Sequence, residues 1–231
     1  MDKKYKLTEE TINVNGITLY RIEALKDFAN VKKGDKGGFV EKESNLFQSG
    51  DCWVYHNAEV FGNAEVFGNA KVCGNAKVYG NAKVYGNAVV CDYAKVRNEA
   101  KVRDDAVVCG TARVYGNARV YANAIISGKA VVSDRAVVSG NAQVFGNAII
   151  YGDAIVYGNA QVYNNARIYG DAFVYDNAEV CGDAFVYDNA EVFGKAVVRD
   201  NAEVYGCARV CNDAEVCDDA EVFDNAIVCD D

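Results

Sequence analysis

The sequence predicts an all-β chain: a three-sided parallel β-solenoid of about ten 18-residue coils over residues 51–231, with a small N-terminal β cap over residues 1–50. Three observations predict it. Alanine recurs every sixth residue from Ala58 to Ala226, 29 times without a slip, and Val or Ile follows two residues after each. The residue two before each alanine is Gly, Asp or Asn in 27 of the 29 units. Longer blocks also repeat: KVYGNA-KVYGNA-VVCDYA is followed by KVRNEA-KVRDDA-VVCGTA and then RVYGNA-RVYANA-IISGKA.

Each observation has a physical reading. Ala-x-Val-x is a short strand with Ala and Val on one side and the x residues on the other. Gly, Asp and Asn tolerate positive φ and bond locally, as a tight corner demands. A short strand with a tight corner is one side of a polygonal coil, and the block repeat makes the coil three-sided. At a strand spacing of ~4.8 Å the stack forms a prism about 45–50 Å long, filled by Ala and Val. A fold that turns on Gly and Asn needs none of the proline the chain lacks.

Val60 with Ala64, Val66 with Ala70 and every later pair give an aliphatic residue followed four positions on by a small one. This unit resembles that of the hexapeptide-repeat proteins over residues 52–231. The resemblance implies a left-handed parallel β-helix, whereas ordinary crossover rules alone favour the right hand. The segment YRIEALKDFANVKKGDKGGFV is similar to N-terminal segments of uncharacterised bacterial and phage members that carry a transferase label. That label follows from fold, and fold does not settle function. The resemblance also implies a homo-oligomer, a trimer first and a dimer second.

In the cap, Asn15-Gly16 between two β-rich runs predicts a hairpin. Ile22 to Phe28 reads as a strand or a short helical turn. Lys32 to Gly38 is a glycine-rich turn without the Walker phosphate-binding pattern. Phe39, Val40, Leu46 and Trp53 are expected to seal the first coil, and Asp218, Asp219, Asp224, Asp230 and Asp231 to charge the last edge against end-to-end stacking.

Net charge is −9, which argues against general DNA binding. The charge is uneven. Residues 71–121 hold nine Lys/Arg against four Asp/Glu, while residues 171–231 hold three against sixteen. Nine cysteines without a CxxC pair, and a start (MDKKYKLTEE) without a leader's apolar run, lead to an expectation of reduced thiols in a cytoplasm. No apolar run reaches membrane-spanning length.

With the interior filled, chemistry must lie outside. Outward aromatics stack in ladders that include Tyr79, Tyr85, Tyr115 and Tyr121, with Arg97 and Arg103 between them. Lys77, Lys95 and Arg113 form one basic column, and Lys83, Lys101 and Arg119 a second. Like charges one strand apart destabilise a sheet. These columns are therefore either a solvated patch or a site for an anionic small molecule, a nucleotide or an acidic protein surface. Basic groups interleaved with aromatics suit stacked bases and phosphate. Val89, Val107 and Ile125 form an apolar column on the third side, and Val131, Val137, Ile149 and Ile155 read as a second apolar band; both are interface candidates.

Two function classes stay open. One is a non-catalytic binding protein presenting rigid faces, in a phage setting an inhibitor that sequesters a host protein or signal nucleotide. The other is a divergent acetyl-coenzyme A-dependent acyltransferase using the only histidine, His56, as base. A purely structural role is a third reading. No cofactor is expected. No metal site is expected either, since Cys73, Cys91 and Cys109, and Cys211 and Cys229, line a flat wall.

Overall fold

A computed structural model describes residues 3–230; Asp231 lies outside the described residues. Strand β1 (Tyr5–Val14) pairs antiparallel with β2 (Ile17–Ala24) across Asn15-Gly16, whose φ values are 52° and 86°. Positive φ at both central residues is what a two-residue hairpin turn requires. Strand β3 (Lys36–Val40) pairs antiparallel with β2 and parallel with Glu59–Val60. Three long sheets follow. The first face holds the hairpin, β3 and ten repeat strands from Glu59–Val60 to Glu221–Val222. The second runs from Glu65–Val66 to Ile227–Asp230, and the third from Trp53–Val54 to Glu215–Val216, each of ten strands. From Trp53 to Arg209 each rung pairs in register with the residue eighteen further on, as Lys95 does with Arg113.

Corner chemistry follows the sequence closely. All 29 corner residues have positive φ, including the two exceptions, His56 (56°) and Ala122 (58°). Side-chain amides add ladders along the edges, as in Asn123 to Asn141 to Asn159 to Asn177, with steps of 2.9–3.1 Å.

The coiling starts earlier than residue 51. Val40 pairs with Val60, Leu46 bridges to Val66, and Val54 pairs with Val72. The first two offsets are twenty residues, not eighteen. Two extra residues between Leu46 and Val54 take this coil out of the six-residue register, which is why the pattern concealed it. It brings the solenoid to about eleven turns. Phe39, Val40, Leu46 and Trp53 are buried in it as expected. Ile22 to Phe28 splits into the end of β2 and a turn. In the glycine-rich segment, the Lys32 and Lys33 amides donate to Asp35 and Asp27, so carboxylates already occupy what a phosphate would need. Gly37 and Gly38 serve packing: a Cβ on either would sit 2.5–2.6 Å from Ile22, Val54 or Ala58 atoms.

The core is a single column of alanine and valine in which Ala64 through Ala208 are at most 1% exposed. Ala142 sits mid-column with no exposed surface. Ala142→Leu is expected to cost about 1–3 kcal/mol through overpacking, read as a lower denaturant midpoint with unchanged slope. An unchanged midpoint would mean the interior has slack that the fold does not otherwise suggest.

Candidate functional site

The hairpin leans over the outside of the first face and encloses a cleft of about 790 Å³. Its floor is the column Glu59, Lys77, Lys95 and Arg113; one side is the corner row Asn57, Asn75, Tyr93 and Thr111. Glu10, Ile12 and Arg21 of the hairpin overhang it, and Phe39, in register with Glu59, ends the floor. That size lies within the range that takes small-molecule ligands.

Local bonding fixes the overhang. Arg21 donates through Nε to Glu10 at 2.6 Å and through Nη1 to the carbonyls of Gly37 (2.7 Å) and His56 (3.1 Å). Its guanidinium lies 4.2 Å from the Phe39 ring centre, a cation–π contact. Lys36 reaches the other Glu10 oxygen at 2.9 Å, and these two bonds hold the Glu10 carboxyl below the usual carboxylate range.

The floor divides into matched and unmatched charge. Lys77 pairs with Glu59 at 2.7 Å. Lys95 and Arg113, in register on the next two rungs, have no ion-pair partner among the described residues. Tyr93 stands beside them, 62% exposed. It is the only aromatic among the 29 residues preceding the repeat alanines, a signal that the outward columns do not contain.

The structure thus brings Lys77, Lys95 and Arg113 into one cleft and leaves the other candidates elsewhere. Lys83, Lys101 and Arg119 stack on the second face, where Lys83 pairs with Glu65 at 2.8 Å. Arg119 borders a second groove, of about 820 Å³, that holds the Arg135–Asp153 ion pair. Tyr79 and Tyr85 stack on Phe61 and Phe67 at 5.0 and 4.7 Å. Arg97 and Arg103 lie 4.4 and 4.1 Å from the Tyr115 and Tyr121 ring centres, and Arg103 also pairs with Asp104. These six side chains belong to the ladders and do not line the cleft. His56 is an exposed corner residue whose Nδ1 accepts from the Gly74 amide at 3.3 Å; it does not line the cleft either.

The apolar candidates sort by face. Val89, Val107 and Ile125 form one column on the third face, as expected. The second band is not one strip: Val131 and Ile149 lie on the first face, Val137 and Ile155 on the second. Six-residue spacing moves the chain to a new side, so neighbours in sequence cannot share a column.

Beside the third-face column run Cys73, Cys91 and Cys109. Ligand atoms of Cys91, Asp92 and Cys109 lie within 4.8 Å of one another. Burial, then the neighbouring Cys73 and Asp92, pushes the Cys91 thiol up to about 12. Further on, Cys211 and Cys229 are joined as a disulfide with Cα atoms 4.7 Å apart. The expectation of reduced thiols throughout is corrected for this pair: in-register stacking places two cysteines at disulfide range.

Comparison with known proteins follows the repeat. Residues 76–92, 112–128, 142–158 and 160–176 match the family described as YdcK Beta solenoid repeat. An Escherichia coli (strain K12) protein named as an uncharacterized acetyltransferase, YdcK, is 37% identical over 68 residues, covering 26% of this chain. The matched stretch spans only 21% of that relative's length. No helix among the described residues is long and apolar enough to cross a membrane. The chain is a β-solenoid with a six-residue repeat, and four stretches of that repeat are similar to the YdcK family's.

Proposed function

We propose that the chain is a non-catalytic binding protein that holds an anionic, ring-bearing ligand of the nucleotide class in the cleft beneath the hairpin. The observation that carries this reading is the unmatched pair Lys95 and Arg113, stacked on adjacent rungs inside the cleft. Two like charges in register cost the sheet stability, and a bound phosphate offsets that cost. Tyr93 offers an exposed ring at the same level for a planar group to stack on. The cleft's carboxylates are engaged, Glu10 by Arg21 and Lys36 and Glu59 by Lys77, which leaves neither free as a base.

The relative's name supports a second reading, acetyl transfer from acetyl-coenzyme A, whose phosphates the same two cations would take. Isothermal titration with ATP, acetyl-coenzyme A and inorganic phosphate tests the first reading. Wild type is expected to bind a ring-bearing polyanion, and Lys95→Glu with Arg113→Glu to weaken it ~100-fold, about tenfold per lost charge-assisted contact. Equal affinity in wild type and double variant would remove the cleft from the account. Acetyl-coenzyme A turnover that disappears in His56→Ala would favour the second reading.

A further inference from the structure

We propose that Cys91 and Cys109, with Asp92 beside them, form a low-coordinate site for a soft monovalent d10 cation of the Cu(I) class. The two cysteines occupy successive rungs of the third face, held by amide bonds from Cys91 to Val108 and from Cys109 to Ile126, both 2.9 Å. The Cys91, Cys109 and Asp92 ligand atoms fall within 4.8 Å of one another. Two thiols and one carboxylate, with no fourth donor grouped with them among the described residues, suit a low-coordinate ion rather than the four-ligand closure that structural zinc requires.

Ligand type points the same way, because thiolates select soft ions such as Cu(I) over harder divalent ones. Two donors one rung apart need no pocket, so a flat wall does not exclude such a site. Val89 and Val107, half-buried on the same strands, lower the local polarity. Asp92 singles out this pair over Cys73 and Cys91. Its corner φ of 60° turns it beside the two thiols, and Oδ2 is fixed by the Gly110 amide at 2.9 Å. On binding, each thiol releases its proton to solvent and each sulfur donates an electron pair to the ion, with no change in oxidation state.

The test uses the full chain, reduced and anaerobic, with Cys207, Cys211, Cys217 and Cys229 replaced by serine. Cu(I) is titrated against a chromophoric chelator, and the stoichiometry is read by native mass spectrometry. One Cu(I) per chain is expected, lost in Cys91→Ser and in Cys109→Ser and kept in Cys73→Ser. Serine suits the fold at these positions, since Ser127 occupies the next rung of the same column. A circular-dichroism melt confirms folding of each variant. Binding that survives both Cys91→Ser and Cys109→Ser, or Zn2+ held more tightly than Cu(I), would overturn the proposal.

Discussion

Trp53→Ala is expected to open the cap while leaving the distal coils folded. The Trp53 side chain is 1% exposed and packs edge-on against Tyr5 and Phe28, with ring centres 6.0 and 5.3 Å away. The Tyr5 hydroxyl donates to the carbonyl of Leu46 (2.6 Å) and lies 3.0 Å from that of Glu43. Lys4, buried beside them, donates from Nζ to the carbonyls of Cys52 (2.8 Å) and Gly50 (3.1 Å). Truncating a buried tryptophan costs about 3–5 kcal/mol. In a solenoid each coil leans only on its neighbours, so the loss stays at the end where it is made. Amide exchange should accelerate across β1, β2 and β3 and remain slow in the rungs beyond Ile125. Ligand affinity should fall too, because Glu10, Ile12 and Arg21 leave with the hairpin. Unchanged exchange in β1 to β3 would show that the cap is held by something other than this aromatic cluster.

Raising the pH is expected to melt the solenoid progressively from about pH 9 upward. The Cys91 thiol is shifted from 9.0 to about 12, chiefly by burial. Several ladder phenols are raised above 10.0. Tyr187 is raised by burial and then by its bond to Glu203 at 3.0 Å, Tyr163 by its bond to Glu179, and Tyr169 and Tyr175 chiefly by burial. For an acid whose folded value is raised, both states hold the proton below the unfolded value, and stability is fully present there. Above it the unfolded chain releases protons that the folded chain keeps, so stability falls as pH rises toward the folded value. Lys4 works in the opposite direction, because burial lowers it below 10.5, but it is one group against many. Melting temperatures at pH 7, 9, 10 and 11 should fall in order. Tyr187→Phe keeps the ring stack, as the native Phe193 and Phe223 do, and should flatten the decline. A melting temperature constant to pH 11 would contradict the assignment.

Much of this was legible in the sequence because the repeat allows only one register. Once alanine and valine face inward at a six-residue period, the corner residues, the three faces and both basic columns follow by counting eighteens. Counting also places Glu59 beside Lys77 and Glu65 beside Lys83, as the two ion pairs have them. The cleft was not legible, for two physical reasons. The first coil is offset by its two extra residues, and the hairpin's lean depends on packing around Trp53 and on the irregular pairing of β1 with β2 between Leu7 and Thr11. Counting eighteens likewise divides the apolar band over Val131, Val137, Ile149 and Ile155 between two faces.

The two basic columns supply the most direct test, because they carry the same residues in the same order and only one lies under the hairpin. Affinity for the ring-bearing polyanion is measured in Lys95→Glu/Arg113→Glu and in Lys101→Glu/Arg119→Glu at one ionic strength. The account predicts a ~100-fold loss in the first and a change of no more than about threefold in the second, the long-range share of the charge. Equal losses in both would mean that the basic section attracts anions only through its overall field, and that the cleft is not a binding site.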